Sequence, residues 1–459
     1  MTTVRVRHGA AALAAAAVML SGGVPAAHAA PSPAPSPSPA VPAGLYGTKD
    51  PTYDGVWRQS LAFMAQQVSG VEPSRSAVSW LMGQQCDSGG FASYRPDPAR
   101  TCDPKTVLDT NATAVAVQAL SGVDRPEADK PGTDPVSKAM DAGAAWLKGV
   151  QNPDGGWGYN PGSPSDANST SLVISSLAAL GHRPGDIESK AGKTPYDALL
   201  RFAIPCDAKQ GAGAFAYQPD PKTGALVANG DATAAAVLAG LGKDLQTRGV
   251  RTEQPPTCER QAEPTAERAA RNGAAYLTGA LARTGHLDLP PMPGAATTAP
   301  QPDFGNTADA VIALGAAGQT QAARTSLGWL EKNAVPWAKE SGPAAWAQLI
   351  LAAHTAGADA RDFGGVDLVK QLDATGPAPA SGPPAPRERS GPAKETAPGS
   401  DGSAAAKESA ADNAAESAAK SAEDEDAGFG IWLAVAVVLV AGMGIGFLVS
   451  GRRRKAQQR

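Results

Sequence analysis

Aromatic residues make up only 5% of the 459-residue chain, cysteine occurs four times and histidine five. Two histidines, His8 and His28, fall in the first thirty residues, and His182, His286 and His354 are scattered. None stands at ligand spacing from a cysteine, so a zinc site is not expected. Charge of neither sign dominates, with 40 basic against 44 acidic residues and a net charge of −4. Long basic runs are missing, which argues against nucleic acid as a partner. Four cysteines are an even number, and in an oxidising compartment they read as two disulfides. Of the three connectivities, Cys86 with Cys102 and Cys206 with Cys258 are favoured, because each closes a loop inside one repeat unit.

The two ends carry signals of export and anchoring. Arg5, Arg7 and His8 precede an apolar run from Ala10 to Leu20, and Ala27-His28-Ala29 offers small residues for cleavage. Residues 1–29 therefore read as a signal peptide and the Pro/Ser-rich 30–42 as an extended linker. At the other end, Phe429 to Ser450 is uncharged and long enough to span about 30 Å of hydrocarbon as a helix. The basic residues that follow, within 451–459, predict a cytoplasmic tail and put everything before Phe429 outside the cell. Residues 374–428 are mostly Ala, Pro, Ser, Gly, Glu and Lys without an aromatic, the composition of a disordered stalk.

Between these ends, residues 43–373 repeat themselves. WLMGQQCDSGGFASYRPD from Trp80 aligns without a gap on WLKGVQNPDGGWGYNPGS from Trp146, and Phe202, Cys206, Gly213, Phe215, Tyr217 and Pro219 form a looser copy. Each copy leads into an almost wholly apolar stretch opened by a capping residue: DTNATAVAVQAL from Asp109, DANSTSLVISSLAAL from Asp166, NGDATAAAVLAGL from Asn229 and GNTADAVIALG from Gly305. Helices apolar all round are buried. The helix before Trp157 instead spaces Val136, Met140, Ala144 and Leu147 on one side, as an outer helix does. Outer helices are predicted near 73–85, 136–150, 194–204, 264–282 and 319–333, and inner ones near 107–121, 166–180, 229–242, 305–317 and 341–356. Stretches from Tyr53 and from Val366 complete a sixth pair. The expected fold class is all-α, an α6/α6 toroid of helical hairpin repeats.

The motif WLKGVQNPDGGW, with WLMGQQCDSGGF, resembles the repeat of the squalene cyclase and protein prenyltransferase superfamily. That resemblance implies an α/α toroid. The cyclases' DxDD acid motif is missing, the inner helices lack the cysteine and histidine set that binds zinc in prenyltransferases, and no thioester turn surrounds Cys86. The chain is similar to the cobalamin-carrier toroids in being exported, disulfide-bonded and noncatalytic, which makes a corrinoid a candidate ligand. No catalytic residue, cofactor or metal is assigned.

The Gly-rich connections gather inner-helix N-termini at one end, a setting for a polar ligand group. Candidate ligand-binding residues there are Phe91, Tyr94, Asp109, Asn111, Trp157, Tyr159, Asp166, Asn168, Phe215, Tyr217, Asn229 and Asp231. The competing expectation for each is structural, the Asp and Asn as caps and the aromatics as wedges between hairpins. The functional expectation is a surface protein that binds a small organic ligand and hands it to a membrane transporter. A terpene-cyclase-like or glycosidase-like enzyme and a structural or protein-interaction module are the alternatives.

Overall fold

A computed structural model describes residues 41–124, 134–251, 256–260, 263–289 and 300–380. The signal peptide, the linker up to residue 40, the stalk from residue 381, the expected span and the basic tail lie outside the described residues. No helix among the described residues is long and apolar enough to cross a membrane.

The described chain is mostly helical. Twelve α-helices occur among the described residues: α1 Gly55–Val68, α2 Arg75–Gly83, α3 Thr110–Ser121, α4 Pro135–Gly149, α5 Ala167–Ala179, α6 Pro195–Leu200, α7 Gly230–Gly240, α8 Ala266–Leu281, α9 Phe304–Ala316, α10 Thr320–Ser341, α11 Pro343–Ala356 and α12 Leu368–Asp373. Odd-numbered helices are buried on nearly every side, as α3 is from Thr110 to Leu120. Even-numbered ones bury a single stripe, Val136, Ala139, Gly143, Ala144 and Leu147 in α4. The pattern read from the residues, inner apolar and outer amphipathic, is the one formed.

Inner helices pack on inner helices: α1 on α3, α3 on α5, α5 on α7, α7 on α9, α9 on α11, and α11 back on α1. Each outer helix lies against an inner one, most extensively α4 on α3, α8 on α7 and α10 on α9. The start of the fold is bonded to its end. Gln66 on α1 donates to the Asp373 carboxylate on α12 at 2.7 Å, the Gly47 amide donates to the Thr375 carbonyl at 2.8 Å, and Ala380 bridges to Glu72. The packed chain thus runs on past Ala374, where composition placed the start of the stalk.

Three differences from the sequence pattern have physical causes. Helix α6 is only six residues long, closed at its start by a Thr194–Asp197 capping box and Pro195. Helix α10 does not stop near residue 333 but carries Pro336 inside it, an arrangement that removes one intrahelical bond. Ala334 and Ala338 on either side are fully buried, and their packing offsets that loss. Two antiparallel ladders, each of two residues per strand, are also present, β1 Phe215–Ala216 with β2 Ala228–Asn229 and β3 Leu287–Asp288 with β4 Pro302–Asp303. They are too short to show an alternating pattern in sequence.

Disulfides join Cys86 to Cys102 and Cys206 to Cys258, which fits an oxidising, extracellular setting. Neither leaves a free thiol among the described residues.

Candidate functional site

One strut recurs at four of the turns that lead from an outer helix into an inner one. The backbone N–H of the turn residue donates to a threonine hydroxyl four residues into the cap-started inner helix: Phe91 to Thr113 at 2.9 Å, Trp157 to Thr170 at 3.0 Å, Phe215 to Thr233 at 2.9 Å and Leu287 to Thr307 at 3.0 Å. At the first hairpin Tyr46 uses the Gln59 side chain instead, at 2.9 Å. The turn's own side chain points into the packing between hairpins. Phe91 and Phe215 are 0% exposed and Trp157 1%. These three, expected among the ligand contacts, touch no solvent and serve as wedges, because a fully buried ring has no face left for a ligand.

The cap residues divide in the same way. Asp109, Asp166 and Asn229 accept backbone N–H bonds from Ala112, Ser169 and Ala232 at 2.9, 2.7 and 2.8 Å, so they terminate α3, α5 and α7. Asp109 also accepts from the Ser93 hydroxyl at 2.9 Å, and the Tyr159 hydroxyl lies within its reach. Tyr217 stands in the same relation to Asp166. Burial raises both carboxyls' proton affinity, with the Asp166 value pushed up to about 6, and the donated bonds pull the other way. Tyr94 is set apart, packed beside Gly55 at the start of α1.

The residues two and six places past the caps behave differently. Asn168 on α5, Asp231 on α7, Asp309 on α9 and Gln348 on α11 are all partly open on helices that are mostly buried. The Asn168 amide donates to Asp231, and the Gln348 amide donates to both Asp309 oxygens at 3.3 Å. The Asp231 charge acts on Asp309, and Asp303, the α9 cap, acts on both. These contacts bring four side chains from four successive inner helices to one place. Burial first, and then neighbouring negative charge, lift Asp231 to about 6 and Asp309 to about 8; Asn168 and Gln348 oppose the shifts. No Lys or Arg is among the groups acting on these carboxyls in the described residues. Phe304, at the start of α9, stacks between Trp329 and Trp337 of α10 at 5.2 and 5.6 Å, and Trp337 borders the same place through Gly305.

Of the twelve expected binding residues, Asn168 and Asp231 therefore enter this group, and Asn111 holds the corresponding position on α3, two past the cap. Asp309 and Gln348 were missed. Their signal was a single polar residue inside TADAVIAL and AWAQLIL, stretches that are otherwise apolar. A wider recess of about 670 Å³ opens where α7 and α9 end, lined among others by Tyr196, Lys243, Arg251, Glu267 and Arg271. It carries both signs of charge and none of the buried, unpartnered polar atoms. The Asn168–Gln348 group is the better candidate.

No family model and no curated protein matches the chain. Among solved structures, a protein from Actinoplanes known by its crystal structure aligns over 70% of this chain and 95% of its own, at 15% identity and a TM-score of 0.42. A likeness that slight carries no argument about function.

Proposed function

We propose that the chain is an exported, membrane-anchored protein whose helical part is an α6/α6 toroid of the squalene cyclase and prenyltransferase type. We further propose that the end where its inner helices begin binds a small organic ligand without turning it over. The order of inner-helix neighbours, which returns from α11 to α1, supports a closed ring. Two disulfides support export, and the uncharged run from Phe429 to Ser450 supports the anchor. Delivery of the ligand to a membrane transporter follows from that anchoring.

The observation that carries the binding role is the enclosed group Asn168, Asp231, Asp309 and Gln348. A helix packed on all sides gains nothing from a carboxyl in its middle, and desolvating one is costly. Perturbed carboxyls gathered with hydrogen-bonding amides are the mark of a site. The full chain in detergent micelles, titrated calorimetrically with corrinoids, glycans and organic amines, tests the proposal. Binding of one class, weakened in Asp309→Asn, is expected; absence of binding by all three overturns it.

One observation favours a second reading, an acid–base enzyme. Asp231 and Asp309 hold protons with unlike affinity, about 6 and about 8, as a general base and a general acid do. Turnover of a glycan that vanishes in both Asp231→Asn and Asp309→Asn establishes the enzyme in place of the carrier.

A further inference from the structure

Several buried polar atoms of the inner helices are left without partners, three amide oxygens among them. Asn111 is 4% exposed and its Oδ1 has no hydrogen-bond partner. Asn168 Oδ1, on the residue that donates to Asp231, is likewise buried and unpartnered. Gln118 is 0% exposed with neither amide atom bonded, and it lies two turns below Asn111 on the same face of α3. Beside these stand Asp231, Asp303 and Asp309: the charges of Asp231 and Asp303 act on Asp309 and that of Asp303 on Asp231, and no cation is among the groups acting on the three in the described residues. Native proteins rarely leave buried acceptors unpaired, and such atoms call for an explanation. A metal is a poor one, because no cluster of three His, Cys, Asp or Glu able to hold an ion occurs among the described residues. What fits is a ligand that brings donors and positive charge together. The stacked Phe304, Trp329 and Trp337 at the border suit its apolar or cationic body.

We infer that this polar group takes an organic cation, its ammonium or guanidinium nitrogen seated between Asp231 and Asp309 and its remaining N–H groups facing the free amide oxygens of Asn168 and Asn111. The inference rests on the ligand-binding role proposed above and names the ligand class for it. An ammonium offers three donors and a guanidinium five, enough to satisfy both carboxyls and an amide oxygen at once. Charge-assisted bonds of this kind are about twice as strong as neutral ones. A neutral polyol leaves the negative charge uncompensated.

The test is calorimetric titration of the full chain in detergent micelles at pH 7 with spermidine, agmatine and benzylamine. Benzyl alcohol and maltose are the neutral counterparts, and each titration is repeated in two buffers of different ionisation heat. The cations are expected to bind at least tenfold more tightly than benzyl alcohol or maltose, and to do so with proton release, since Asp309 holds a proton at that pH until a cation displaces it. Asp231→Asn is expected to weaken cation binding at least tenfold. Should that variant fail to fold, proton release in the unmodified chain decides. Maltose or benzyl alcohol binding as tightly as the amines, or amine binding without proton release, overturns the cation class while leaving the binding role intact. Failure of every class overturns the binding role itself.

Discussion

Asp309 holds its proton far more tightly in the fold than in the open chain, at about 8 against an ordinary value of 3.8, because burial and the Asp231 charge disfavour the anion. The folded state therefore keeps a proton that the unfolded chain releases above about pH 4. Stability from this group is complete below that pH and is lost as pH rises through 8. Asp309→Asn has nearly the same shape and cannot ionise. Its melting temperature is expected to match the parent's near pH 4 and to exceed it at pH 9, measured by circular dichroism. The threonine struts make an opposite case, in which side chain and stability agree. Thr170→Val keeps the volume and deprives the buried Trp157 N–H of its acceptor. A loss of about 1–3 kcal/mol in denaturant unfolding is expected. Neither role was readable from residue type. Threonine in DANST was read as part of a polar opening, and only the turn folded back on it shows which atom it accepts from. Asp309 and Gln348 were visible as single polar residues in apolar runs, but their meeting across two helices depends on the register between hairpins.

At the scale of the element, the Gly-Gly turn that exposed the repeat now has a cause. Gly155 sits at φ +91°, and a Cβ there would stand 2.2 Å from the Thr194 carbonyl oxygen that precedes α6; Gly89, at φ +96°, meets the Ala142 carbonyl of α4 at 2.3 Å. The glutamine of the motif completes the turn: Gln151 donates to the Gly155 carbonyl at 2.7 Å, as Gln85 does to Gly89 at 2.9 Å. Gly155→Ala combines a left-handed backbone, costing about 1–2 kcal/mol, with a backbone clash. A clear fall in melting temperature is expected, larger than for Gly149→Ala, which meets nothing within 4 Å. Helix type was legible throughout because the buried and half-buried patterns differ so plainly. Boundaries were less so: Pro336 reads as a stop, yet tertiary burial on both sides of it carries α10 on to Ser341.

Across the whole molecule, the bonds of Gln66 to Asp373 and of Gly47 to Thr375 join the first helix to the last. An open array of repeats frays from its ends. A closed toroid predicts instead that amides of α1 and α11 exchange with deuterium as slowly as those of α5 and α7, under conditions where all open only by global unfolding. Faster exchange confined to α1 and α11 would count against closure. The even cysteine number and the repeat boundaries pointed to the observed disulfide pairing, each bond lying inside its own unit.

The cap of one hairpin is held by its neighbour. The N–H groups of Thr110 and Ala167 donate to the carbonyls of Tyr159 and Tyr217, both 2.9 Å away in the next turn along the chain. To pull one hairpin loose is therefore to uncap the helix before it. Proteases cut locally unfolded stretches, and at these two junctions neither hairpin opens without loosening the start of the helix it holds.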